Sequence, residues 1–123
     1  MKLKIIPKEQ QLKIKEEYKL IREKMIAELG GICWHCGSTK ALSLHHILPV
    51  KYGGPNLKIN FMLLCLDKSS PLHGCHWRWN GLSYQWLKNH KDFIASHNKE
   101  QVIKEMRRSL INGDLPFKPR FVK

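Results

Sequence analysis

Between residues 8 and 29, apolar side chains fall at Ile14, Tyr18, Ile21 and Met25, with charged residues filling the gaps. Intervals of three and four predict an amphipathic helix, ended by Gly30-Gly31, with its apolar stripe on a core and its lysines in solvent. The pattern then changes. Residues 32–66 break into short pieces: a cysteine turn at 33–37, a strand near 41–46, a Gly-Pro loop and a strand near 60–65. Asp67 to Gly74 is polar, with Ser69-Ser70-Pro71 at its centre, and reads as a loop. A helix is expected to start near His73–Cys75, to break at Gly81 and to restart after Ser83, carrying Trp86, Leu87, Phe93 and Ile94 on one stripe. Asn98 with Gln101 has the spacing of a capping box. Val102, Met106 and Leu110 then recur at helical intervals before an Asn112-Gly113 stop. The closing LPFKPRFVK is basic and proline-spaced, and is expected to be an extended, mobile terminus.

No internal repeat or low-complexity segment interrupts this order. Short strands followed by helices point to an α+β fold, and 123 residues allow one small domain with appended helices. A core of that size gains from an added staple.

Charge narrows the partner. Lysine and arginine total 22 against 10 acidic residues, a formal net charge of +12. The excess is spread, with 8 basic against 5 acidic residues in 1–30, 5 against 1 in 31–80, and 9 against 4 in 81–123. A field this positive favours a polyanion, nucleic acid ahead of an anionic membrane surface. No apolar run approaches membrane-spanning length, and Met1-Lys2-Leu3-Lys4 opens no signal-like apolar region. A cytoplasmic protein without a membrane partner is therefore expected.

Four cysteines in a reducing compartment suggest metal ligation before disulfides. Cys33-Trp34-His35-Cys36, followed by Gly37, is a knuckle of the zinc-ribbon type, while Cys65 and Cys75 are more widely spaced. Four thiolates satisfy a tetrahedral zinc that would contribute folding energy. His35 and His73 are alternative ligands, His73 the more serious because the second cysteine pair is irregular.

The remaining pattern is His45-His46-Ile47-Leu48-Pro49, Gly53-Gly54, Asn60 through Leu63-Leu64-Cys65, then Cys75-His76 and Asn80. Adjacent histidines at a strand end point to opposite faces, so both cannot enter one core. In this order the fragments resemble the HNH endonucleases, the ββα-metal nucleases, in their zinc-containing, phage-type branch. The resemblance covers residues 32 to 80. It implies a metal-dependent DNA endonuclease hydrolysing phosphodiester bonds, on a ββα-metal core with structural zinc on Cys33, Cys36, Cys65 and Cys75. It further implies that His46 activates the water as general base and that His45 and His76 hold a catalytic divalent metal. Asn60 would fix the loop and orient His46, and Asn80, four residues after His76, would be a third ligand or a phosphate contact. A histidine near neutral pKa suits a general base, and a divalent ion suits charge neutralisation and the leaving 3′-oxygen. The basic residues Lys51 and Arg78 are expected to contact nucleic acid. Trp77 and Trp79 are stacking groups or, more simply, packing groups.

On this reading residues 1–31 form a helix packing on the core, 32–82 the nuclease core, and 83–123 the C-terminal helices and basic tail. Two features depart from the family pattern. Asp67 to Gly74 is an insertion ahead of the helix, and Asp67 is the only acid between residues 31 and 80. A site of imidazole and amide favours Mn²⁺, Ni²⁺ or Co²⁺ at least as well as Mg²⁺. One motif copy serves one strand, so a double-strand cut needs a homodimer or two successive nicks. The competing readings are a non-catalytic zinc module that binds nucleic acid, and a ribonuclease or nuclease toxin on the same motif.

Overall fold

In the computed structural model of the chain, residues 7–66 and 74–112 are described. The expected mobile terminus after Gly113, the alternative ligand His73, and the insertion apart from Gly74 lie outside them. The described residues form a small α+β fold of two antiparallel strands and four helices.

The first helix, α1 (Lys8–Leu29), begins at Pro7, whose carbonyl accepts the Gln11 N–H, and stops at Gly30. Along its apolar stripe Ile14 and Tyr18 are half-buried, Ile21 packs against the core beside Ile26 and Leu29, and Met25 is buried, whereas Leu12 and Leu20 lie off the stripe and are exposed. The strands β1 (Leu42–His46) and β2 (Phe61–Cys65) pair with Leu42 opposite Cys65 and His46 opposite Phe61. Between them run two short 3-10 turns, Val50–Tyr52 and Lys58–Asn60. All five β2 residues are fully enclosed, which explains why this strand reads as an unbroken apolar run. Each large side chain so buried stabilises the fold by about 1.5–3 kcal/mol.

Helix α2 (Cys75–Asn89) packs across both strands, followed by α3 (Lys91–Ser96) and α4 (Lys99–Asn112). The break expected at Gly81 does not occur. The helix runs straight through it, past position 82 where the sequence places the end of the core unit. Gly81 is exposed and has open space where a Cβ would stand, so it costs helix propensity without forcing a kink. The real interruption is at His90, whose Nδ1 lies 2.7 Å from the Trp86 carbonyl. Leu87 and Trp86 therefore sit on α2, while Phe93 and Ile94 sit on α3. At the next boundary the capping box forms in both directions: Gln101 N–H donates to Asn98 Oδ1 at 2.9 Å, and Asn98 N–H to Gln101 Oε1 at 3.0 Å. Val102, Ile103, Met106 and Leu110 of α4 then close the core beside Trp79 and Trp86.

Candidate functional site

Two groups of chemically capable side chains lie along the β1–β2 ladder. At the Leu42–Cys65 end, Cys33, Cys36, Cys65 and Cys75 offer four sulfur atoms all within 4.8 Å of one another. The knuckle that supplies two of them is held by its own backbone. Cys33 N–H donates to Ser38 O and Gly37 N–H to Cys33 O, and Gly37 takes φ +81°, a conformation that favours glycine. The Trp34 N–H bonds Leu63 O at 2.8 Å and ties the knuckle to β2. Cys36 Sγ and Cys65 Sγ are 3.6 Å apart. A zinc tetrahedron with Zn–S bonds near 2.3 Å has edges of about 3.8 Å, so the cluster can hold a metal such as zinc. As free thiols, Cys36 and Cys75 are pushed up in pKa by burial first, and Cys75 further by its cysteine neighbours. The alternative ligand His35 is engaged elsewhere: its Nδ1 accepts from Trp79 Nε1 at 3.2 Å. Trp79 is therefore a packing residue, whereas Trp77 is 68% exposed beside the His76 ring.

The other group gathers His45, His46 and His76. The strand alternates, so its two adjacent histidines take different partners. His45 faces α2, is 1% exposed, and shares a 3.2 Å hydrogen bond through Nε2 with Ser83 Oγ. Its ring lies 5.3 Å from that of His76, edge to face. Burial, then the neighbouring His76 and His46, lowers the His45 pKa to about 3, so it is neutral near pH 7.

His46 faces α1 and the loop. It packs edge-on against Tyr18 at 5.6 Å and Phe61 at 4.7 Å. Burial lowers its pKa, opposed by the hydrogen bond to Asn56. That bond fixes the tautomer. Asn56 Nδ2 donates to Glu17 Oε1 at 3.3 Å, which turns Oδ1 toward His46 Nε2 at 3.0 Å. An amide oxygen only accepts, so Nε2 carries the proton and Nδ1 keeps the lone pair.

The same reasoning fixes His76. Ser43 Oγ donates its single proton to Leu64 O at 2.9 Å, so it accepts from His76 Nδ1 at 2.6 Å. The lone pair of His76 is then on Nε2. Burial, followed by His46, lowers its pKa.

Asn60 does not reach the His46 ring. It is fully buried and clamps the connecting loop: Leu48 N–H donates to its Oδ1 at 2.7 Å, and its Nδ2 donates to Leu48 O and Pro55 O. Its own carbonyl accepts the Ile47 N–H, one residue past His46. Gly54 is required there, because a Cβ would lie 1.7 Å from Leu48 O. Asn80 sits one turn after His76 on α2, half-buried. Among the described residues, no third His, Cys, Asp or Glu joins the histidine pair in a ligand group. Lys51 is exposed on the first 3-10 turn and Arg78 on α2.

The sequence pattern did not point to Asn56, Glu17, Ser43 or Ser83. They are ordinary polar residues: Ser43, Ser83 and Asn56 pair with histidines 10 to 38 positions away, and Glu17 pairs with Asn56 across 39, which no local motif encodes. Among the described residues, no helix is long and apolar enough to cross a membrane. Comparison of the chain with protein-family models, with curated proteins and with solved structures finds no match.

Proposed function

We propose that the protein is a metal-dependent DNA endonuclease of the HNH, ββα-metal type, with a structural zinc on Cys33, Cys36, Cys65 and Cys75. The observation that carries this reading is a pair of oriented imidazoles, His46 at the end of β1 with its lone pair on Nδ1 and His76 on α2 with its lone pair on Nε2. His46 is neutral near pH 7 and half-buried, and its other nitrogen is anchored. It is thus set up to take a proton from an attacking water at Nδ1. His76 through Nε2 and His45 through Nδ1 would hold the catalytic ion, with Asn80 one turn further along α2 as the remaining protein ligand. A divalent ion bound there supplies charge neutralisation at the phosphate and at the departing 3′-oxygen. The role of Asn60 is to hold the loop that follows His46, and Asn56 takes over the orientation of the base.

A second reading is a zinc-stabilised module that binds nucleic acid without cutting it. The observation favouring it is that His45 is enclosed and already bonded to Ser83, with no carboxylate joining it in a ligand group among the described residues. Supercoiled plasmid separates the two. Nicking should require added Mg²⁺, Mn²⁺, Co²⁺ or Ni²⁺, with the last three at least as effective as Mg²⁺, and should vanish in His46→Ala. A mobility shift without cleavage under any of these ions would support the binding module instead.

A further inference from the structure

Helix α1 lies outside the stretch that carries the family resemblance, yet it forms one wall of a groove that ends at His46. The groove, of about 280 Å³, is lined by Lys15, Tyr18, Lys19 and Arg22 of α1 and by Ser43 and His46 of β1. Lys15, Lys19 and Arg22 follow one another at intervals of four and three, so they share one face of the helix. No acidic residue lines the groove, and neither Lys15 nor Lys19 has an ion-pair partner among the described residues. Arg22 is steadied by the Leu42 carbonyl at 3.5 Å, which ties the helix to β1. The groove reaches the histidine centre at His46, which lines it directly, and Ser43, which also lines it, is the partner of His76 Nδ1.

We propose that this groove seats the phosphate backbone of a DNA strand, with Lys15, Lys19 and Arg22 tracking successive phosphates so that one phosphodiester is delivered to His46. Three cations on one face, with no acid among the described residues lining the groove between them, match a run of phosphate charge and carry no base-reading geometry. The inference rests on the nuclease reading for what happens at His46, and on the groove alone for what binds.

The test compares two pairs of substitutions on one helix. Lys15→Ala with Lys19→Ala removes two charges from the groove. Lys13→Ala with Lys24→Ala removes two exposed charges that do not line it. Both pairs are built on a His46→Ala chain without added divalent metal, and binding to a short DNA duplex is followed by fluorescence anisotropy across a salt series. The groove pair should flatten the slope of log Kobs against log salt by about 0.9 for each lost phosphate contact, about 1.8 in all. The control pair should leave the slope as it was. Equal changes in both pairs would overturn the groove in favour of diffuse charge. Tighter, equally groove-dependent binding of duplex RNA would overturn DNA as the partner, and no DNA binding by the parent would overturn both. If the alanine pair loses helix content, Lys15→Gln with Lys19→Gln repeats the comparison. A slope change without wild-type nicking would keep the groove and remove the nuclease, so the two failures are distinguishable.

Discussion

The Asn56 side-chain oxygen lies 3.0 Å from His46 Nε2, while the nitrogen of the same amide reaches Glu17 on α1. A loop residue thus sets which imidazole nitrogen is basic. For the proposed nuclease, Asn56→Ala should lower kcat roughly 10- to 100-fold with little change in KM, as expected when a reacting group loses its orientation. Asn56→Gln, which keeps the amide, should recover part of the loss. Single-turnover kinetics on a nicked-plasmid assay would measure both. An unaltered kcat in Asn56→Ala would mean that His46 needs no such anchor.

The cysteine cluster makes a prediction about metal content. Purified protein should carry one tightly held zinc per chain, and Cys36→Ser should bind it more weakly and melt at lower temperature. Elemental analysis with thermal denaturation checks this. A metal-free chain with the same melting transition would show that the four thiols pack without an ion.

Two glycines should respond to alanine with opposite signs. Gly81→Ala fills open space on the surface of α2 and should stabilise the protein by roughly 0.5–1 kcal/mol. Gly54→Ala drives a methyl into the Leu48 carbonyl and should destabilise it or prevent folding. Urea denaturation of the two variants beside the wild type reads both signs.

The buried His45 links stability to pH. Its pKa falls from an ordinary 6.5 to about 3 in the folded chain, so the unfolded chain binds the extra proton between those values. Its contribution is complete above about pH 6.5 and is lost progressively as pH drops toward 3. Between pH 7 and 5 the loss is roughly 2 kcal/mol. His45→Gln should show a correspondingly shallower decline in urea midpoints over that range. Parallel declines in variant and wild type would place the acid sensitivity elsewhere.

What could be read from the chain follows from how local each signal is. The α1 span, both strands and the Asn98–Gln101 capping box are written in neighbouring residues, and the structure has them where the spacing puts them. Gly81 misled because a glycine weakens a helix without ending it when tertiary contacts hold both sides. Trp79, Ser83 and Trp86 are buried across that very position. The cysteine set was legible from its knuckle, although only the fold brings Cys65 and Cys75 to it. The histidine partners were not legible at all. Ser43 and Ser83 owe their roles to the register of β1 and to the height at which α2 crosses it, and Asn56 to the loop between the strands and its contact with α1. The groove cations were hidden in the same way, since in the sequence Lys15, Lys19 and Arg22 look like any solvated helix face.

Cys75 and His76 are consecutive residues in the first turn of α2. The two centres therefore share a hinge pin. An ion held by the four cysteines would anchor the turn that carries His76, and Cys75 belongs to the same buried cluster as Cys33, Cys65 and Trp79. For the proposed zinc-bound nuclease, loss of the ion should therefore lower stability and nicking together, because one helical turn serves both centres.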